Sequence, residues 1–188
     1  MDNQVLVAYA TKYGATEEIA ENIGEILRRV GLRANLRVDV LAANRVSDLS
    51  PYGAVVLGSA VYMGRWRKEA ANFLEANEAA LAELPVWLFS SGPTGDGDPL
   101  ELTDGWQFPK GLQEVASRIR PRDIAVFHGE VNVMRLNFFE KWVLKNVKSS
   151  VGDYRDWDAI TSWATEIAAA LQEGDTASGP ESQPPSAD

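Results

Sequence analysis

The chain has 188 residues, of which 45% are hydrophobic, and its 27 acidic and 18 basic residues give a net charge of −9. This size suits one domain with a substantial core, and the acidic balance argues against general nucleic-acid binding. The chain has no cysteine and a single histidine, His128. Disulfides and thiolate chemistry are therefore excluded, we predict no metal site, and we expect His128 to be packed or hydrogen-bonded.

The N-terminus carries no basic segment ahead of its apolar stretch, and no apolar run approaches the length of a membrane span. We therefore expect a cytoplasmic protein.

Apolar strands alternate with amphipathic helices along the chain. Residues 5–10 form an apolar run that predicts a buried strand, and residues 17–30 place apolar side chains at helical spacing. The same alternation continues with strands at 34–40, 54–58, 85–90 and 123–129, and with helices at 68–81, 111–118 and 156–171. Five apolar strands separated by helices predict an α/β fold, a doubly wound parallel sheet in a three-layer sandwich.

The end of the chain differs in composition from the rest. Residues 173–188 contain three prolines, four acids and no base, and none of their aliphatic side chains is larger than alanine. Such a segment cannot bury enough surface to order itself. We predict a folded domain over residues 1–172 and a disordered acidic tail over residues 173–188.

The turn between the first strand and the first helix, residues 11–16, has the composition of a phosphate cradle. Unpaired N–H groups and the positive end of the helix dipole meet there. Thr11 and Thr16 add hydroxyl donors, Gly14 lets the backbone fold around an oxyanion, and Lys12 adds positive charge. The turn lacks both the Gly-Lys-Ser/Thr ending of a P-loop and the three spaced glycines of a dinucleotide fingerprint.

Two further connections have unusual compositions. In a doubly wound sheet, ligands bind beyond the carboxyl ends of the strands. Residues 59–66 follow the third strand and carry Tyr62 and Trp66, which either stack on a flat heteroaromatic ring or pack on the next helix. Residues 91–99 begin a long glycine-rich connection, which either brings backbone groups close to a ligand or is a flexible turn.

These features resemble the flavodoxin-domain family, and within it the menaquinone-dependent protoporphyrinogen oxidase type. Thr11, Gly14 and Thr16 match the family's phosphate loop, whereas Tyr13 stands where the family has Ser or Thr. Backbone N–H groups must then contribute more of the phosphate binding, because the usual side-chain hydroxyl contact at this position is replaced. The resemblance covers residues 4–171 and includes the Gly-Ser end of the third strand, the Phe-Ser-Ser-Gly loop and the Asp-Trp-Asp-Ala-Ile start of the last helix.

The resemblance implies FMN, with its phosphate at residues 11–16 and its isoalloxazine ring between residues 59–66 and 90–97. Because the flavin carries the chemistry, no catalytic side chain is assigned. Asp96 and Asp98 are predicted to lie near the ring and to lower its potential. The predicted FMN contacts are Thr11, Lys12, Tyr13, Gly14, Ala15, Thr16, Ser59, Ala60, Val61, Tyr62, Met63, Gly64, Trp66, Ser90, Ser91, Gly92, Pro93, Thr94 and Gly95.

Residues 135–148 are basic in an otherwise acidic chain, with four bases against one acid, and their apolar side chains recur at helical spacing. They predict either a helix that docks on an anionic membrane or covers a hydrophobic substrate, or a core helix with solvated lysines.

The resemblance implies an oxidoreductase in which FMN takes hydrogen or electrons from a porphyrinogen or a similar substrate and passes them to a quinone. A flavodoxin-like carrier, which transfers single electrons between protein partners, is the alternative that the acidic composition favours. A binding module with an empty or degenerate flavin site is the third. We further expect a monomer or homodimer, no nucleic acid, and peripheral contact with the inner face of the membrane through residues 135–148.

Overall fold

A computed structural model describes residues 4–31, 36–132, 134 and 151–176, with side chains as far as residue 173. The strands are β1 (Gln4–Ala10), β2 (Arg37–Ala42), β3 (Ala54–Tyr62), β4 (Arg65–Trp66), β5 (Val86–Ser91), β6 (Asp123–Phe127), β7 (Glu130–Val131) and β8 (Gly152–Asp153). The α-helices are α1 (Ala15–Gly31), α2 (Lys68–Ala76), α3 (Glu78–Leu81), α4 (Gln113–Ile119) and α5 (Trp157–Thr176). Short 3-10 helices lie at Ala43–Arg45, Glu101–Thr103 and Lys110–Leu112.

Within the described residues, five parallel strands form one sheet in the order β2-β1-β3-β5-β6. The chain moves from β1 to one neighbour, β2, and then returns to the other neighbour, β3. This reversal of direction is the switch point at which doubly wound sheets bind ligands. The predicted fold class is confirmed.

Two apolar layers hold the helices against the sheet. On one face, α1 and α5 bury a stripe that includes Ile19, Ile23 and Ile160. On the other face, α2, α3 and α4 bury Leu74 and Ile119, among others. Because both faces are covered, the central strands are apolar almost throughout, and β5 is buried at every position.

Several element boundaries differ from the predicted ones. The helix predicted over residues 68–81 is broken at Asn77, whose main-chain N–H and side-chain amide both donate to the Phe73 carbonyl, at 3.2 and 2.8 Å. Strand β3 runs four residues further than expected because its end folds into a hairpin with β4. Helix α5 continues to Thr176, past the helix end predicted at residue 171.

The predicted tail beyond residue 176 and the basic segment 135–148 lie outside the described residues, so their roles stay predictions. Over the described ranges, no helix combines the length and the apolarity that crossing a bilayer requires.

Candidate functional site

The register of the sheet brings three loops to one edge. Ala10, at the end of β1, is aligned with Ser59 of β3, and Ser59 is aligned with Ser90 of β5. The connections that follow these residues therefore begin at the same level. The structure thus gathers the three predicted loops, residues 11–16, 59–66 and 90–97, at the carboxyl edge of the sheet.

The phosphate loop, residues 11–16, is tightly wound, and it brings the hydroxyl of Thr16 into a buried position. Gly14 has a φ of 93°, and its N–H donates to Thr11 Oγ1 at 3.0 Å. Helix α1 begins at the next residue. Thr16, in the first turn, is only 1% exposed, and its Oγ1 has no hydrogen-bond partner among the described residues. A buried hydroxyl without a partner at a helix N-terminus fits a bound phosphoryl group.

Two carboxylates in the same turn would repel a phosphate, but each is engaged by a partner. The Tyr9 hydroxyl donates to Glu17, and the pKa of Tyr9 rises to about 12 because the phenol is buried and bonded to this carboxylate. The Arg155 guanidinium pairs with Glu18 at 2.7 Å and also bonds Asp153, which is the main reason that the pKa of Arg155 lies above its ordinary value. The start of α1 is therefore compatible with an anion.

The aromatic connection after β3 is a β-hairpin with a two-residue turn. Met63 and Gly64 occupy the turn with φ values of 50° and 71°. Tyr62, just before the turn, is 43% exposed. The ammonium group of Lys12 and the guanidinium group of Arg67 lie 6.0 and 5.9 Å from the centre of the Tyr62 ring. The Lys12 contact joins the hairpin to the phosphate loop.

Trp66 lies at the base of the hairpin and is only 6% exposed. Its Nε1–H donates to Ser90 Oγ at 2.9 Å, and its ring packs edge-on against Phe108 with 4.8 Å between centroids. The structure therefore places Trp66 in the core, as the packing alternative expects. Tyr62 is the ring of this pair that faces solvent.

The serine hydroxyls at the ends of β3 and β5 are already engaged. Ser59 Oγ accepts the Arg67 N–H at 2.9 Å and donates to the Ala60 carbonyl at 2.9 Å. Ser90 Oγ accepts from Trp66 and donates to a loop carbonyl at 3.2 Å. Both side chains are fully buried. A ligand at this edge of the sheet would therefore contact the backbone groups of these serines rather than their hydroxyls.

The glycine-rich loop, residues 91–97, lies against the hairpin. A Cβ at Gly92 would lie 3.0 Å from Val61 Cβ, so a larger residue would fit there only if Val61 shifted slightly. Further along, Asp96 is exposed, whereas Asp98 accepts the Leu100 N–H at 2.7 Å.

Two cavities open on the described surface. A polar one of about 320 Å³ adjoins the phosphate loop at Thr11, between Glu17, Arg45 and Glu69. A second, of about 710 Å³, lies between the connection that follows the glycine-rich loop and α4, and Trp106 is among its lining residues. The described part of the chain contains no group of three or more His, Cys, Asp or Glu residues that could hold a metal ion.

The model of the flavodoxin domain family matches residues 6–158. The chain belongs to this family. Family membership implies FMN as the cofactor, and the buried Thr16 hydroxyl fits its phosphate.

Named relatives agree with this assignment. Protoporphyrinogen IX dehydrogenase (quinone) of Escherichia coli strain K12 is 23% identical over 176 residues, which cover 88% of this chain and 94% of that protein. A flavodoxin from the domain Archaea has a TM-score of 0.58 at 14% identity, over 90% of this chain and 99% of its own. A mutant flavodoxin from Pseudomonas aeruginosa has a TM-score of 0.57 at 18% identity, with the same coverage. The structural likenesses show the fold.

The sequence of this flavodoxin domain did not predict that Arg155 contacts the end of the phosphate loop and the first turn of α1. Arg155 comes near the loop from the far end of the chain, with Nη1 3.4 Å from the Ala15 carbonyl. It is 5% exposed in its side chain and stacks on Trp157 at 4.7 Å. One available signal is that Arg155 is a lone base among acids, between Asp153 and Asp156. Such a base commonly has a specific carboxylate partner.

Proposed function

We propose that this flavodoxin-domain protein is an FMN-dependent oxidoreductase that transfers hydrogen from a porphyrinogen, or a similar reduced substrate, to a quinone. The observation that carries the proposal is the match to the Escherichia coli dehydrogenase, whose name states both substrate and acceptor. The match spans 94% of that relative, so it extends over nearly the whole length of the dehydrogenase.

The three loops at the sheet edge supply the contacts that FMN requires. Thr11, Thr16 and the N–H groups at the start of α1 would hold the phosphate, with Lys12 adding positive charge. Tyr62 would cover the ring, and backbone groups of residues 59–61 and 91–94 would bind its polar edge. When bound, FMN supplies the redox chemistry. The chain's own residues bind it, orient it and limit the access of water.

The overall reaction balances as a transfer of two hydrogen atoms per turnover. In each turnover the reduced substrate loses two hydrogens, and a quinone gains them to become a quinol. Complete oxidation of one porphyrinogen to a porphyrin removes six hydrogens and therefore reduces three quinones. The test is an anaerobic assay of FMN-loaded protein with protoporphyrinogen IX and menadione, in which the fluorescence of the porphyrin product is followed. We expect formation of porphyrin that requires both FMN and quinone. If the flavin-loaded protein oxidises the porphyrinogen no faster than the background rate, the proposal is contradicted.

A second function, single-electron transfer between protein partners, is favoured by the net charge of −9, because acidic surfaces suit basic partner faces. A reductive titration of the FMN-loaded protein separates the two functions. Uptake of one electron at a time at well-separated potentials, together with no porphyrinogen turnover, favours the carrier. The absorbance spectrum of the purified protein near the flavin bands tests the third alternative, an empty site.

We also propose a cytoplasmic protein that contacts the inner face of the membrane through residues 135–148, on the basis of the four bases in that segment. Flotation with anionic vesicles, with and without Lys141→Ala, Lys145→Ala and Lys148→Ala, tests this contact. Loss of flotation in the triple variant supports it, and equal flotation contradicts it. The oligomeric state, monomer or homodimer, stays a prediction that sedimentation would check.

A further inference from the structure

The imidazole of His128, directly after β6, lies between two carbonyl oxygens of the glycine-rich loop. His128 Nδ1 is 3.2 Å from the Pro93 oxygen, and Nε2 is 2.9 Å from the Gly97 oxygen. The residue is 8% exposed, so water has little access to the ring.

Both contacts are complete in only one protonation state. A carbonyl oxygen only accepts hydrogen bonds, and a neutral imidazole has one N–H and one lone pair. Each neutral tautomer of His128 therefore keeps one bond and turns a lone pair toward the other carbonyl. The imidazolium form donates to both oxygens at once, and charge-assisted bonds of this kind are the stronger ones.

The imidazole reaches a part of the loop that the neighbouring backbone bonds do not. The Gly92 N–H donates to the Phe127 carbonyl at 3.2 Å, and the Gly129 N–H donates to the Pro93 carbonyl at 2.9 Å. These two bonds fix the start of the loop whatever the side chain at position 128. Beyond them the backbone takes positive φ values at Gly95 (137°) and Gly97 (114°). Here the ring bond to Gly97 crosses from β6 to the far end of the loop.

We propose that His128 is a positioning residue that clamps the glycine-rich loop in its FMN-binding shape when the imidazole is protonated. The proposal rests on the proposed function, because it takes residues 91–97 to be a wall of the FMN site. It gives the site a dependence on pH, with the loop fixed when His128 carries its proton and loosened when the proton leaves. FMN affinity then falls when the imidazole gives up its proton.

Among the described residues, the other ionisable groups near the clamp are carboxylates, a guanidinium group and a phenol. Arg155 lies 3.5 Å from Glu130 and 2.7 Å from Asp153. These groups ordinarily keep their charge state between about pH 6 and 8, so they add no pH dependence of their own in that range. The ionisable groups on the segments next to His128 are Asp96, Asp98, Glu130, Asp153, Tyr154 and Arg155.

The first experiment compares FMN dissociation constants of the wild type and His128→Gln from about pH 5.5 to 8.5. The FMN phosphate itself titrates near pH 6, and the ratio of the two constants cancels that effect. Gln keeps one amide donor and does not titrate. We expect His128→Gln to bind about tenfold more weakly at the acidic end, where one charge-assisted bond is missing, and about equally at the alkaline end. A ratio that is constant over the whole range overturns the clamp.

The second experiment needs no flavin. His128 is the one histidine of the chain, so its imidazole C–H signals in an NMR spectrum are assigned without ambiguity. We expect the amide signals of Gly95 and Gly97 to shift with pH in step with the imidazole in the FMN-free wild type. If the chemical shifts of these two amides do not follow those of the imidazole as the pH changes, the clamp is contradicted. Protein that binds no FMN at any pH overturns the proposed function, and this second experiment still decides the clamp.

Discussion

The guanidinium group of Arg155 lies 2.7 Å from a carboxylate oxygen of Glu18, although 137 residues separate the two in the chain. Glu18 belongs to the first turn of α1, where the phosphate loop ends. Arg155 also bonds Asp153 of β8 at 2.7 Å. The pair therefore joins the small β7–β8 ribbon to the helix start that would hold the FMN phosphate.

We predict that Arg155→Met lowers both the free energy of unfolding and the FMN affinity. Arg155 is 5% exposed, but Glu18 and Asp153 are 42% and 44% exposed, so solvent screens part of the lost interaction. We expect a loss of about 1–2 kcal/mol in urea unfolding of the FMN-free protein. Removing the positive charge of Arg155 from beside Glu18, close to the phosphate loop, should weaken FMN binding several-fold in a fluorescence titration.

This prediction has a matched control and a defined pH dependence. Arg118→Met breaks an exposed pairing with Glu78 and Glu114 on another part of the molecule, and we expect a smaller change in Tm and an unchanged Kd for FMN. The Arg155 hydrogen bond lowers the pKa of Asp153. The stabilisation is thus present above the ordinary carboxyl value of 3.8 and is lost as the pH falls through the lowered value. Equal loss of FMN affinity in both variants contradicts the role given to Arg155.

We predict that Thr16→Val changes stability and FMN affinity in opposite directions. The Thr16 hydroxyl is buried without a hydrogen-bond partner among the described residues, which costs the FMN-free protein about 1–3 kcal/mol. Replacing it with a methyl group should raise the unfolding free energy by about 1 kcal/mol. The same change removes a phosphate donor and should weaken FMN binding about tenfold, measured by calorimetry.

Thr165→Val is the control for Thr16→Val. Thr165 Oγ1 donates to the Thr161 carbonyl at 2.8 Å on the exposed side of α5, far along the chain from the phosphate loop. We expect little change in either quantity. If Thr16→Val destabilises the FMN-free protein and leaves FMN binding unchanged, its hydroxyl serves the fold and not the cofactor.

The fold was predictable because its signals are local. Apolar runs, helical spacing and the glycine-containing turn at Gly14 each occupy a short window of sequence, and the alternation of strands with helices indicates a parallel sheet. Boundaries were less predictable where one side chain decides them. At Asn77 the side-chain amide competes for the Phe73 carbonyl and ends the helix.

The site was predictable at the level of loops but not of side chains. The hairpin turn at Met63 and Gly64 could not be predicted, because its sequence is not one of the Asn-Gly or Asp-Gly pairs that indicate a two-residue hairpin turn. The burial of Trp66 depends on Ser90, which is 24 residues away, and no spacing along the chain reveals such a bond. The pairing of Glu18 with Arg155 is likewise set by the fold, because the two residues lie at opposite ends of the chain and meet only in the folded protein.

We predict that Gly58→Ala destabilises the protein by roughly 1–3 kcal/mol through overpacking. An added Cβ at Gly58 would lie 1.9 Å from Cζ of Phe89, a fully buried ring on the neighbouring strand. Gly111→Ala is the control, because a Cβ there meets nothing within 4 Å. Urea unfolding should show a clear loss for the first variant and little change for the second. Equal stability of Gly58→Ala and the wild type would show that Phe89 can move without cost.

We predict that stability falls at alkaline pH in part through Tyr52. Its hydroxyl donates to Asp39 at 2.9 Å, and burial together with this carboxylate raises its pKa from 10.0 to about 12. Because the folded value lies above the unfolded one, the contribution is complete below pH 10 and is lost as the pH rises through about 12. Over that window the wild type should lose about 2 kcal/mol more unfolding free energy than Tyr52→Phe. Parallel pH profiles for the two proteins contradict the assignment.

We predict that Asp96→Asn raises the reduction potential of the FMN-loaded protein. Asp96 is exposed in the glycine-rich loop, and a negative charge near the ring disfavours the anionic reduced flavin. A unit charge roughly 8 Å away in a water-like dielectric contributes about 0.5 kcal/mol, or about 20 mV for one electron. Redox titration measures the shift, and Glu25→Gln removes an exposed charge about 15 Å along α1 from the phosphate loop. We expect a smaller shift in that control at physiological ionic strength, and an Asp96→Asn potential equal to that of the wild type would place the carboxylate away from the flavin.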